Sequence, residues 1–388
     1  MIPFREALNI IDRAAQPLPR EQIDATAALG RLMVTPLHAP FDVPAWPRSA
    51  MDGYAIRRSD QDAELKVVEH VAAGQIPTTN VTPGTAVKTM TGAPVADGAE
   101  LVVRVEYADE QAGRVRFHNR ERSSNIVARG ENARVGDTVL SPRVLRPIDL
   151  AVVAAYGYET VEVLQKPSVG VLSTGDEVRA TAGELSPGQI YDSNGPQLLA
   201  LATACGCQAR FYGIVADRSQ ALRAVLQQAL AENTFVLMSG GVSMGDFDVT
   251  AEVVRDLGLQ LQFHRVAIKP GRPTLFASHP HGYLFGLPGN PVSVFVTFDL
   301  FVRRLLFRCA GLTSERVTVP IELGVDLRSK DTKRTEFVPV SLADGTAVPL
   351  RYSGSSHLSA LAAADGLLTV PSGTEHLPKG NTVDVRPI

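Results

Sequence analysis

Residues 168–178 read S-V-G-V-L-S-T-G-D-E-V, a run of small and β-branched residues that ends in Gly175, Asp176 and Glu177. Such a run is a buried strand, and charges at its mouth cost free energy unless something uses them. The next segment, YDSNGPQLLALATACG from Tyr191, opens with the carboxylate Asp192 and then turns to helical spacing. The alternation continues outward. QARFYGIVA is a strand, SQALRAVLQQALAE a helix, TFVLMSGG a strand and DVTAEVVRDLG a helix. Strands separated by helices of this length predict a parallel-type sheet with crossover helices, whose ligand crevice lies at the carboxyl ends of the strands. Those ends collect carboxylates: Asp176 and Glu177 after the first strand, Asp217 after the second in GIVADR, and Asp246 and Asp248 after the third in MSGGVSMGDFD.

On either side the texture changes. FREALNIIDRA puts Phe4, Ala7, Leu8 and Ile11 on one helical face, and PIDLAVVAAYGY near residues 147–158 is a second helix with a Pro start. Between them, from about residue 40 to residue 131, short β-rich runs are punctuated by Gly and Pro, as expected for one domain inserted into another. After Leu312 the chain reads as a small all-β domain without helices. The 388 residues, 45% apolar and 20% charged, suffice for several domains. Thirty-eight basic residues against 41 acidic ones give a net charge of -3, so no global field draws the chain to nucleic acid or an anionic membrane. No run reaches the length of a membrane span, and the first residues lack a secretory signal's apolar core. Cys205, Cys207 and Cys309 are too closely or too widely spaced for a metal cluster, so the expectation is a reduced, cytoplasmic protein with buried thiols.

Clustered carboxylates suit a hard cation such as Mg2+ that shares phosphate oxygens. The anion side has other parts. Ser239, Gly240, Gly241 and Ser243 in SGGVSMG let backbone N–H groups approach an oxyanion, as Ser173, Thr174 and Gly175 do at the first strand end. In LPGNPVSVF, Pro288 leads to Asn290 as the expected N-cap, Pro291 at the first helical position and Ser293 in the first turn. AIKPGRP adds Lys269 and Arg272 on a turn stiffened by Pro270 and Gly271. There is no G-x-x-x-x-G-K-[ST] loop, no G-x-G-x-x-G fingerprint and no serine nucleophile elbow.

Taken in order, SAMDGYA, MTGAPVADGAELVV, STGDEV, YDSNG, SGGVSMGDFD, AIKPGRP and GLPGNPVS resemble the molybdopterin molybdenumtransferases, the MoeA/gephyrin E-domain family, over nearly the whole chain. The resemblance implies four parts. These are a discontinuous helical domain (1–39 and 132–166), an inserted β-rich domain (40–131), a molybdopterin-binding α/β domain (167–312) and a C-terminal β-barrel-like domain (313–388). It implies a reaction in which adenylylated molybdopterin and molybdate give molybdenum cofactor and AMP with Mg2+. Glu177, Asp217 and Asp248 would be the metal and pyrophosphate group, with Asp52 and Thr91 supplied by the inserted domain. Molybdate would be held by Lys269, Ser293, Arg334 in TKRTEF and Ser356 in GSSHLS. Two cations and two hydroxyls match a tetrahedral dianion.

The resemblance further implies a homodimer, with transient contacts to the adenylylating enzyme and to molybdoenzymes. Two positions depart from the family: Asn132 stands where an acidic residue is common, and Arg265 where Lys is frequent. A non-catalytic dimeric scaffold and the adenylylation of molybdopterin are the alternative functions. The scaffold gives no reason for Glu177, Asp217 and Lys269, and adenylylation leaves the flanking domains unexplained.

Overall fold

The computed structural model describes residues 1–388 apart from 181, 243–246, 280–281, 313–316 and 330, and the backbone alone at 247–249 and 251. It divides into two compact units, Met1–Glu21 with Leu164–Ile388, and Gln22–Val163.

In the first unit helix α1 (Phe4–Ala14) buries Ala7 and Ile11, two of the residues its spacing selects, while Phe4 meets the rings of Phe301 and Phe337 edge-on. The α/β body follows in the expected alternation. Its elements are β1 (Ser168–Thr174), α2 (Asn194–Ala204), β2 (Gln208–Val215), α3 (Ser219–Glu232), β3 (Phe235–Ser239), α4 (Phe247–Asp256), β4 (Gln260–Phe263), β5 (Leu275–His279), β6 (Gly282–Leu287) and α5 (Pro291–Thr297). The sheet order is β2-β1-β3-β6-β5-β4. Strands β2, β1, β3 and β6 run parallel, each pair bridged by a crossover. The pairing β5–β6 is antiparallel. Its connection is only residues 280–281, too short for a crossover, so the sheet is mixed at this side rather than parallel throughout. Leu172, Val236 and Met238 of the sheet pack with Leu222 and Leu226 of α3 and Val253 and Val254 of α4. Burying branched side chains on both faces fits the near-continuous apolar runs of β1 and β3.

The rest of this unit is a second six-stranded sheet. Strands β7 (Val319–Leu323), β8 (Thr335–Ala343), β9 (Thr346–Pro349), β10 (Gly366–Val370) and β11 (Thr382–Pro387) enclose Leu323, Val340, Leu368, Val370 and Val385. The sheet is joined by the short strand Ile268–Lys269, which pairs in parallel with β8 and sets Ile268 opposite Thr335 and Lys269 opposite Glu336. The expectation of no helix after Leu312 is corrected by a short one at Leu358–Ala362, which buries Ala360 and Leu361.

The second unit holds a six-stranded sheet in which the interior strand Gly53–Ile56, second in the order, is wholly buried. Alternation sends Tyr54 and Ile56 into one core and Ala55 into another, so SAMDGYA lies between two packed faces. A further core of Met33, Leu37, Leu145, Val153 and Val161 sits under the helix Pro147–Ala155. No helix among the described residues is long and apolar enough to cross a membrane.

Candidate active site

The carboxyl ends of the parallel strands open into a cavity of about 980 Å³ within the first unit. Strand β1 contributes Ser173 and Thr174, and the turn after it Gly175 and Glu177. Asp217 comes from the end of β2, and Ser239, Gly240 and Gly241 from the end of β3. Pro288, Asn290, Pro291 and Ser293 enter from the turn between β6 and α5. Lys269, Pro270, Gly271 and Arg272 line a further side, and Arg334 and Ser356 arrive from the C-terminal sheet. Asp176 is exposed and outside this lining; its backbone carbonyl accepts from Arg179. Ser243 and the side chain of Asp248 lie outside the described residues. Asp52 and Thr91 belong to the other unit, where Asp52 Oδ1 accepts from the Thr91 backbone N–H at 2.7 Å and its hydroxyl at 2.8 Å. Those two bonds, the backbone one first, hold the Asp52 carboxyl below the usual range. Arg265 is outside the lining, and its carbonyl accepts from Ile2. The Asn132 N–H donates to the Val43 carbonyl.

Glycine is required twice at the cavity floor. Gly175 has φ +141°, and a Cβ there would lie 2.7 Å from Glu177 Oε2. Gly240 has φ +87°, and its Cβ would meet the Thr174 carbonyl oxygen at 2.6 Å. Any side chain at either position would displace the turn that carries the carboxylate or the serine.

The polar groups are locked by partners that sequence alone does not pair. Ser173 Oγ donates to Asp192 Oδ2 at 2.9 Å, and Asp192 Oδ1 accepts the N–H groups of Asn194 and Gly195 at 3.0 Å each, so Asp192 closes the N-terminus of α2. The expected Asn290 cap is not made. Its amide instead donates to Ser355 Oγ at 2.7 Å, while the Ser355 carbonyl takes the Val292 N–H. Lys269 Nζ sits 2.7 Å from Glu336 Oε1, and Arg334 is paired with Asp331. The Arg334 contact lowers the Asp331 pKa. Burial and then Glu336 push the Tyr352 phenol up to about 12. Asp192, Asn194, Glu336, Tyr352 and Ser355 are thus wall residues outside the expected set. A signal for Glu336 was present: it stands two residues after Arg334 in TKRTEF.

Among the described residues no three His, Cys, Asp or Glu side chains form a metal-binding group. Glu177 and Asp217 nevertheless both line the cavity. Two carboxylates fit a hard divalent cation that keeps waters or phosphate oxygens for its remaining positions.

Family models extend this picture across the chain. The MoeA N-terminal region (domain I and II) matches residues 2–157, a probable molybdopterin binding domain matches 170–308, and the MoeA C-terminal region (domain IV) matches 321–388. The class is therefore a molybdopterin-binding type of α/β domain flanked by two MoeA regions. A molybdopterin molybdenumtransferase of Staphylococcus epidermidis is 32% identical over 403 residues, covering 99% of this chain and 95% of its own. One from Staphylococcus aureus is 32% identical over 401 residues with the same coverage. The crystal structure of the molybdopterin biosynthesis protein MoeA from Pyrococcus horikoshii superposes with a TM-score of 0.88 at 30% identity, covering 100% of this chain and 99% of that one. The chain belongs to the MoeA family of molybdopterin molybdenumtransferases, transferases of molybdenum cofactor biosynthesis.

Proposed function

We propose that this chain inserts molybdenum from molybdate into adenylylated molybdopterin and releases AMP. The observation that carries the reading is a single cavity lined by Lys269, Arg272 and Arg334 as well as by Glu177 and Asp217. Lys269 and Arg334 supply the positive charge for molybdate, and Ser293 and Ser356 supply hydroxyl donors that orient its oxygens. Gly241 leaves its backbone N–H without side-chain cover for the phosphate end, while the Gly240 N–H is taken by the Leu287 carbonyl at 3.1 Å. Glu177 and Asp217, with Asp248, would hold Mg2+. That ion, when bound, neutralises the pyrophosphate oxygens so that AMP can leave as the anhydride bond is cleaved. Asp52 and Thr91 of the inserted domain complete the set.

The four-part partition at residues 39/40, 131/132, 166/167 and 312/313 belongs to the same reading. So do a homodimer, a cytoplasmic location, and hand-over contacts with the adenylylating enzyme and with molybdoenzymes. The test is a turnover assay with purified protein, adenylylated molybdopterin, Mg2+ and molybdate. AMP release with formation of active cofactor is expected. Consumption of ATP with free molybdopterin would instead mean adenylylation, and absence of both would mean a scaffold.

A further inference from the structure

The two cations proposed for molybdate are each held by a carboxylate, and the two carboxylates are linked to one another. Glu336 Oε1 lies 2.7 Å from Lys269 Nζ, a pairing favoured by the strand register that sets Lys269 opposite Glu336. Glu336 Oε2 accepts from the Ser329 hydroxyl at 3.1 Å, and Ser329 Oγ in turn accepts the Asp331 N–H at 3.3 Å. Asp331 Oδ2 takes the Nε/Nη2 edge of Arg334, and its Oδ1 accepts the Lys333 N–H at 3.1 Å. A continuous chain of polar contacts therefore joins Lys269 to Arg334 through Glu336, Ser329 and Asp331. Lys269, Glu336 and Arg334 line the cavity, whereas Ser329 and Asp331 stand outside its lining. The Asp331 carboxyl feels both ends: the Arg334 bond is the main cause that holds it below its usual range, and the Lys269 charge adds to it.

Stability alone gives little reason for this chain. The Lys269 and Arg334 side chains stay 37% and 26% exposed, and ion pairs in contact with water contribute little to folding. The carboxylates also repel any anion placed beside them. What the chain supplies is order. Lys and Arg lose more rotamer freedom than most side chains when they are fixed, and a cation fixed beforehand spares that loss when the ligand arrives. Donors are left over for a ligand: Glu336 engages one corner of an ammonium that has three, and Asp331 takes only one edge of a guanidinium that has five.

We propose that Glu336 and Ser329 are positioning residues of the anion site, fixing Lys269 and Arg334 relative to one another for a tetrahedral oxyanion. This rests on the reading of the cavity as the place where molybdate is held. The probe is molybdate alone, titrated into the full-length protein by calorimetry, with AMP as the control ligand. Glu336→Gln and Glu336→Leu both remove the charge, but only the amide keeps an acceptor for Lys269 and a polar partner for Ser329, so comparing them isolates positioning from repulsion. The Glu336→Leu protein should bind molybdate about three- to tenfold more weakly than the Glu336→Gln protein. Ser329→Ala leaves both cations and the charge in place, and should weaken molybdate binding about threefold while AMP affinity stays at the wild-type value. Equal molybdate affinities in the Gln and Leu variants overturn the proposal, as does a Ser329→Ala protein in which molybdate and AMP binding fall together, the mark of a merely structural role. Lys269→Ala separates this inference from the reading beneath it. If that variant loses molybdate while the Gln and Leu variants stay alike, only the positioning role falls; if it binds molybdate as wild type does, the molybdate site falls with it.

Discussion

On the proposed reading molybdate use turns on Lys269 and Arg334, and each of them faces a carboxylate, Glu336 and Asp331 respectively. Replacing either cation by alanine removes a charge-assisted donor worth about 1.5–3 kcal/mol, so the molybdate concentration needed for half-maximal turnover should rise roughly ten- to hundredfold. Nucleotide binding should change less. An unchanged molybdate dependence in both variants would take them out of the site. Glu177→Gln and Asp217→Asn test the other end: both residues are exposed on the strand-end turns, so the fold should survive while AMP release falls. Full turnover in both, at ordinary Mg2+, would show that neither holds the metal. Residues that follow a strand end within a quoted motif, such as Glu177, Asp217 and Gly240, were legible because period and position fix where they emerge. The pairings were not. Asn290 finds Ser355 across 65 positions and Asn194 finds Gly289 across 95, and no local pattern encodes a partner that far along the chain.

Whole elements followed the sequence where periodicity was strong and departed where tertiary contacts intervene. The helix Pro147–Ala155 begins at the proline that marked it and is held by a capping box in which Asp149 Oδ2 accepts the Arg146 N–H at 2.8 Å. The Arg146 side chain, with its backbone N–H, holds the Asp149 pKa down to about 2 from 3.8. A lowered carboxyl pKa contributes stability that is present above the unfolded value and lost as pH falls through the folded one. Asp149→Asn should therefore melt below wild type at pH 7, and the gap should narrow steadily from about pH 4 downward. A gap independent of pH would assign the effect to packing. The antiparallel β5–β6 hairpin and the strand Ile268–Lys269 on the C-terminal sheet were less legible, since each depends on which neighbour a short segment meets rather than on its own composition.

At the scale of the whole molecule, Asp52 and Glu177 lie in separate compact units, and the proposed homodimer is what would supply one from each chain. If the homodimer completes each site with the inserted domain of the partner, inactive Asp52→Ala and inactive Glu177→Ala proteins should complement when mixed through subunit exchange. Random pairing makes about half the dimers mixed, each with one intact site of two, so activity should return to roughly a quarter of wild type. Tagged mixed dimers without activity would place both residues in the site of one chain. The cavity at the carboxyl edge of β1, β3 and β6 is the proposed molybdate site. The most direct measurement is an anomalous difference map at the molybdenum edge from crystals grown with molybdate. One dominant peak is expected within hydrogen-bond reach of Lys269, Ser293, Arg334 and Ser356; a dominant peak elsewhere, with those four side chains left without the anion, would overturn the assignment.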